Sequence, residues 1–256
     1  MSAAKVFASA RSSHWDFGLR APEFNLREQG FALLSPTQFL RIADIDAALF
    51  DDFAQFWNDL PPDQHLLDGG SYRFRRHASL ILDASAHTVV ESVHRAHWQS
   101  TDYNALHGGL ERWFTPLDAR AITHPALLAV ITQLGRLFAA TAGVAARFVE
   151  VHQFRIDTAS GIGRPTPEGA HRDGVDFVAV ILIERVAVRG GETRVFQADG
   201  PAGVRFTMLE RGTCLLLDDT RVIHESTPLQ PDGTAGHRDT LVITFRRDGF
   251  QDPPKA

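Results

Sequence analysis

The chain has 256 residues, of which 44% are hydrophobic and 22% charged, with a formal net charge of −5 at pH 7. That length and apolar content suffice to bury one substantial core, and β-rich domains with added helices reach this size as a single unit. The acidic balance, with arginines scattered rather than arrayed along one helix, argues against a nucleic-acid partner, and a single cysteine, Cys214, excludes an internal disulfide.

Residues 1–20 are expected to form a loose arm in which Phe7, Trp15 and Phe17 can dock on the domain or on a second subunit, so a homo-oligomer stays open. The arm has no apolar stretch long enough for a signal-peptide core or a membrane span. The expectation is a cytoplasmic protein with no membrane partner, and a reducing compartment suits the lone Cys214. Over residues 37–60, Phe39, Leu40, Ile42, Ala43, Leu49, Phe50, Phe53, Phe56 and Trp57 recur near helical spacing between Pro36 and Pro61-Pro62. This predicts one helix started and stopped by proline. A second helix is predicted over 125–142, where Leu127, Val130, Ile131, Leu134 and Phe138 make an apolar face and Gly143 supplies the stop.

Strands are predicted over 147–158, 177–184, 192–197, 204–209, 213–217 and 239–246, separated by glycine-rich turns. Between the first two lies a connection carrying Gly161, Gly163, Pro165, Pro167 and Gly169, poor scaffold but suited to an active-site wall. Residues 251–256, with Pro253-Pro254, read as a frayed tail, which leaves residues 21–250 as one domain with supporting helices.

The chemistry concentrates in the second half. His171 and Asp173 form a His-x-Asp segment, and His224 follows 51 residues after the aspartate. Two ligands from one short loop and a third returned by the fold make the 2-His-1-carboxylate face that leaves positions open on Fe(II). The intervening chain is long enough for several short strands of a jelly roll. Arg238 comes 14 residues after His224, and Thr240 is two further on. Residues two apart on a strand share a face, so this pair can converge on one carboxylate of an acid cosubstrate.

The run Pro165-Thr166-Pro167-Glu168-Gly169-Ala170-His171-Arg172-Asp173-Gly174-Val175-Asp176-Phe177, followed by Gly190-Gly191-Glu192-Thr193, resembles the bacterial 2-oxoglutarate/Fe(II) dioxygenases that include the L-isoleucine dioxygenases. Val151-His152-Gln153-Phe154-Arg155-Ile156 is similar to the strand that precedes their ligand loop, and Tyr72-Arg73-Phe74-Arg75-Arg76 to their early arginine-rich strand. The resemblance implies a double-stranded β-helix core and an enzyme using Fe(II), 2-oxoglutarate and O2. It implies that His171, Asp173 and His224 are the catalytic iron ligands, while Arg238 and Thr240 hold the cosubstrate's distal carboxylate. It implies further that a free aliphatic amino acid is hydroxylated as 2-oxoglutarate is converted to succinate and CO2. Related halogenases lack the carboxylate ligand, so the intact Asp173 points to hydroxylation, with desaturation or sulfoxidation open for particular substrates. The same chemistry on another small metabolite or a peptidyl residue is a rival reading. So is a jelly-roll protein that binds metal or acid without turnover.

A zwitterionic substrate needs opposite charges beside an apolar wall, because an unpaired charge in a dry pocket is costly. On the strand over 147–158, Gln153 and Arg155 share one face and His152, Phe154 and Ile156 the other. The Gln153 and Arg155 face is expected to line the pocket, with Glu168, Asp176 and Phe177 around it, and Arg73 and Arg75 within reach. His152 is read as a hydrogen-bonded packing residue, Met208 as core, and the Arg75-Arg76 and Asp51-Asp52 pairs as solvated faces or local ion pairs. His94 and His97, three apart, can share a helix face, but no carboxylate pattern beside them supports a second metal site.

Overall fold

The computed structural model describes residues 20–83 and 85–254. Most of the expected N-terminal arm, including Phe7, Trp15 and Phe17, and the last two residues of the expected tail therefore lie outside the described residues. Helix α1 (Pro22–Gln29) leads into strand β1 (Phe31–Leu34), followed by α2 (Pro36–Ala43), α3 (Ala47–Phe53) and a 3-10 turn (Ala54–Trp57). Strands β2 (Arg73–Asp83) and β3 (Thr88–Glu91) precede α4 (Ala119–Ile122) and α5 (Pro125–Ala142). The remainder is β: β4 (Phe148–Asp157), β5 (Phe177–Val186), β6 (Val188–Gly190), β7 (Thr193–Gln197), β8 (Gly203–Phe206), β9 (Cys214–Asp218), β10 (Val222–Ser226), β11 (Leu229–Pro231) and β12 (His237–Arg246).

The helix predicted over residues 37–60 is broken. Ser35 caps α2 in a capping box with Gln38, and Asp44 ends that helix in the left-handed conformation at φ 56°. Asp46 then caps α3, its carboxylate accepting from the Leu49 amide at 2.7 Å. The left-handed backbone at Asp44 and the Asp46 carboxylate together break the helix, and apolar periodicity alone carries no trace of either. Helix α5 matches its prediction: Pro125 occupies its first turn, and Gly143, at φ 73°, takes the left-handed position that ends it.

Seven strands form the larger sheet in the order β1-β9-β5-β12-β4-β2-β3, and β10-β7-β8 form the smaller one. Both are antiparallel throughout. Val178, Leu182, Leu215 and Leu217 of the larger sheet pack with Val195, Val204, Phe206 and Val222 of the smaller. The two sheets therefore face each other as the expected jelly roll. The other face of the larger sheet is covered by helices: Leu127, Ile131, Leu134 and Phe138 of α5 share a core with Val149, Val151, Ile181, Ile243 and Phe245. Alternation along each strand thus sends one set of side chains under the helices and the other into the barrel. The apolar cluster closes one end of the barrel interior; the other end is polar and holds the site.

Candidate active site

His171 and Asp173 lie in the connection that leads into β5, and His224 sits within β10. The loop is stitched to β10 by an isolated antiparallel bridge, His171 N–H to His224 O at 3.0 Å and His224 N–H to His171 O at 2.9 Å. That bridge brings the two imidazole rings to 4.6 Å. The Asp173 carboxylate completes the set, 3.8 Å from His171 Nε2 and 3.7 Å from His224 Nε2. Small side-chain shifts can close these donors on one ion at bond lengths of about 2.1 Å. The His171 Nδ1–H donates to Gly169 O at 3.0 Å, which fixes the tautomer and leaves the Nε2 lone pair toward the other two. Burial, reinforced by the neighbouring His171, holds the His224 imidazole well below the usual histidine range, so it is neutral. At His171 burial is outweighed by the Asp173 and Glu168 carboxylates, which raise its pKa, and a bound metal would displace its Nε2 proton.

The loop's shape depends on Asp219, which no motif marks. Its fully buried carboxylate accepts from the amides of Asp173, Gly174 and Val175 at 3.0, 2.8 and 3.1 Å. Gln99 donates to Asp173 Oδ1 at 3.2 Å, and Gln251 donates to Asp173 O at 2.8 Å. Gln251, expected in a frayed tail, is therefore buried against the ligand loop. The only sequence signal for Asp219 was its place in the Asp218-Asp219 pair after a buried strand.

Arg238 and Thr240 of β12 both point into the cavity beside the triad. Arg238 is 3% exposed, donates to Ser226 Oγ at 3.3 Å, and pairs with no carboxylate among the described residues. Burial, with help from nearby Arg185, pushes its pKa down only to about 10, so it remains a cation at neutral pH. A buried guanidinium without an anion fits the distal carboxylate of a dicarboxylic cosubstrate.

Four of the five expected substrate residues fall elsewhere. The cavity face of β4 carries His152, Phe154 and Ile156, opposite to expectation. Gln153 is under the helices, donating to Phe56 O at 3.4 Å, and Arg155 is engaged on the outside by both oxygens of Asp239, at 2.8 and 2.6 Å. The physical reason is that β4 uses its Gln153 face, together with Val149 and Val151, to meet the helical layer. Asp176 faces away and holds Arg247 at 2.7 Å, and Phe177 stacks on Phe138 at 4.5 Å within the helix-side core. Glu168 alone lines the cavity, joined by Arg73, Arg75, Arg112, Gln99 and His107.

Arg75 is buried rather than solvated. Its guanidinium lies 3.5 Å from the Phe114 ring centre and 4.3 Å from that of Phe154, and it reaches His152 Nδ1 at 2.7 Å. His152 is a packing residue as expected, stacked on His77. Behind it, Glu150 accepts from His77 Nε2 at 3.1 Å and lies 3.3 Å from His97 Nδ1. His97 thus belongs to a buried hydrogen-bonded cluster reached through the fold, without a shared helix face with His94.

The family model described as 2OG-Fe dioxygenase matches residues 54–244, a span that contains the triad, Arg238 and Thr240. The chain is similar to a bsmA homologue from Methylobium petroleophilum PM1, with 51% identity over 94% of this chain and 99% of that one, at a TM-score of 0.87. It shares its fold with IDO from Bacillus thuringiensis, at 16% identity, 94% and 100% coverage and a TM-score of 0.72. It also shares the fold of the Fe(II)/α-ketoglutarate-dependent dioxygenase TqaL, at 15% identity, 91% and 90% coverage and a TM-score of 0.66. Among curated proteins there is no match. With the facial triad, the buried cation and the jelly roll in one place, the match over most of its length shows that this chain belongs to the 2OG-Fe dioxygenase family, enzymes that use Fe(II), 2-oxoglutarate and O2.

Proposed function

We propose that this dioxygenase hydroxylates an aliphatic C–H bond of a free L-amino acid or a close derivative, releasing succinate and CO2, within the group that includes the L-isoleucine dioxygenases. In this reading His171, Asp173 and His224 hold the iron, while Arg238 and Thr240 hold the distal carboxylate of 2-oxoglutarate. The observation that carries the substrate class is the cavity wall: beyond Arg238 it presents buried charge of both signs, Arg73 and Arg112 against Glu168, next to apolar Phe154, Ile156, Val180 and Val242. A small zwitterion with an aliphatic side chain matches that combination.

Bound iron and cosubstrate supply oxygen activation and the oxidising equivalents. The chain's own residues do the positioning. Asp219 and Gln251 hold the backbone of the ligand loop, and Gln99 orients the Asp173 carboxylate. Gly169 fixes the His171 tautomer. The buried walls exclude water from the reacting C–H bond.

Two assays test the proposal. Anaerobic addition of Fe(II) and 2-oxoglutarate should produce the visible charge-transfer band of the chelate, and should fail to do so in Asp173→Ala. A panel of L-amino acids should then contain at least one whose product gains one oxygen in step with succinate. Succinate without an oxygenated product from any free amino acid would remove the substrate class.

A further inference from the structure

Half-satisfied charges gather on one wall of the cavity, where β2 carries Arg73 and lies across β4 from Arg238 on β12. Arg73 donates through Nε to Asp63 at 2.6 Å, and Arg75 shares that same carboxylate at 3.9 Å, so two guanidinium ions have one counter-ion. Arg112 has no carboxylate within ion-pair distance among the described residues; its Nη2 donates instead to the Gln99 amide oxygen at 2.9 Å. Glu168 is equally unmatched. Its nearest basic neighbours are the ligand His171, at 3.7 Å, and His107, at 4.0 Å. His107 is neutral, its pKa pushed down to about 4 chiefly by burial, and its Nε2 accepts from the Leu67 amide at 3.4 Å, so its proton sits on Nδ1 toward Glu168.

The atoms left over belong to one place. Arg73 Nη2, Arg112 Nε, His107 Nδ1 and Glu168 Oε2 are all buried without a hydrogen-bond partner, and all four residues line the cavity. Such atoms are expensive to bury, and a structure keeps them only where something completes them. Each guanidinium is pinned along one edge, by Asp63 or by Gln99, with a donor on the rest of the fork still free. The segment carrying Arg112 is rigid. Arg112 pairs through its backbone with His97, at 2.9 and 3.1 Å, and Asn104 Oδ1 caps the intervening turn by accepting from the His107 amide at 2.8 Å. The turn closes so tightly that a Cβ on Gly108 would lie 2.4 Å from Asn104 O. Gln99 then links this wall to the metal ligands, accepting from Arg112 and donating to Asp173.

We propose that Arg112, Arg73 and Glu168 form the head-group cradle for the substrate: the α-carboxylate lies against Arg112 Nε and Arg73 Nη2, and the α-ammonium against Glu168 Oε2. An α-amino acid carries both charged groups on one carbon, so a single head group can complete the donors and the acceptor together. Arg75 is left out of the cradle: its Nη2 is committed to His152, and its guanidinium, although Nε has no partner, is wedged between the Phe114 and Phe154 rings. This inference rests on the amino-acid reading above and assigns the residues that would enforce it.

The test uses matched triplets of each active amino acid: the free form, the C-terminal amide, which lacks the carboxylate, and the N-acetyl form, which lacks the ammonium. Wild type should favour the free form over both derivatives by about tenfold or more in kcat/KM. Arg112→Gln should raise the KM of the free form by a similar factor, erase its advantage over the amide, keep its advantage over the N-acetyl form, and leave the 2-oxoglutarate KM unchanged. Arg112→Lys should recover part of the loss. Glu168→Gln should erase the advantage over the N-acetyl form instead. A second measurement needs no turnover: the melting temperature of the anaerobic Fe(II)/2-oxoglutarate protein, with free and N-acetyl amino acids as probes, in wild type and both variants. Turnover with unchanged KM values in folded Arg112→Gln and Glu168→Gln would overturn the cradle while the amino-acid reading stands. An Arg112-dependent rise with N-acetyl forms alone would overturn both the Glu168 contact and the free-amino-acid reading. No rise with any carboxylate, together with no turnover, would overturn the whole inference.

Discussion

Replacing Asp219 by alanine removes the acceptor of three amide hydrogens on the ligand loop, at 3.0, 2.8 and 3.1 Å, while touching no metal-binding atom. A hydrogen bond to a charged acceptor contributes about 1.5–3 kcal/mol. Three such bonds on consecutive residues are not additive, and Asp173 and Gly174 are only partly buried, so water can re-solvate some of the freed amides. Removing the carboxylate also relieves a buried charge, because burial, reinforced by the Asp173 charge, already pushes the Asp219 pKa up to about 7. A net cost of about 2–4 kcal/mol to the ordered loop is therefore expected. Expressed as Fe(II) affinity, that is a loss of about 30- to 1,000-fold. Anaerobic titration of Fe(II) in the presence of saturating 2-oxoglutarate, followed through the visible chelate band, reads this directly. Asp219→Asn should show a smaller loss, since one amide oxygen can still accept two of the three hydrogens. Wild-type iron affinity in a folded Asp219→Ala protein would refute the claim that this carboxylate sets the loop.

Other consequences can be measured independently. Arg238→Ala should weaken 2-oxoglutarate binding by about 2–5 kcal/mol, with Fe(II) affinity in the absence of cosubstrate nearly unchanged; an unaltered 2-oxoglutarate KM would show that another cation does this work. Arg155→Ala should leave the KM values of both substrate and 2-oxoglutarate unchanged but lower the melting temperature, because it strands the buried Asp239 carboxylate. Burial acts to raise the Asp63 pKa, but Arg75 and Arg73 outweigh it and hold the value below 3.8. A folded pKa below the unfolded one means that Asp63 stabilises the protein above the ordinary carboxylate range and loses that effect as pH falls through its folded value. Asp63→Asn should thus cost about 3–5 kcal/mol near neutrality, with the difference from wild type shrinking below about pH 4 in denaturant titrations.

That His171, Asp173 and His224 meet, and that Arg238 and Thr240 share the cavity face of β12, was legible in the sequence because residue type and spacing carry both, and because β12 keeps its alternation across the site. Helix α5 was legible for a similar reason: proline, apolar stripe and glycine all agree. Sequence is ambiguous where a one-residue shift inverts the answer. The face of β4 that meets the cavity is fixed by which side the helices cover, and strand alternation alone does not distinguish the Gln153 and Arg155 face from that of His152, Phe154 and Ile156, which lines the cavity. The split between α2 and α3 depended on Asp44 and Asp46, whose local backbone contacts leave the hydrophobic period intact. Arg112 and Asp219 were invisible for another reason. Each acts through partners distant in the chain, Gln99 and the cavity for one and the loop amides for the other, and neither sits in a motif.

The most direct measurement of the central claim is aerobic turnover of the Fe(II) enzyme with 2-oxoglutarate and each L-amino acid, scoring succinate and product mass in the same reaction. At least one amino acid should yield a product heavier by one oxygen, in equal amount to succinate, and Asp173→Ala should yield neither. Coupled turnover that persists in Asp173→Ala, or a complete panel without any oxygenated amino acid, would contradict it.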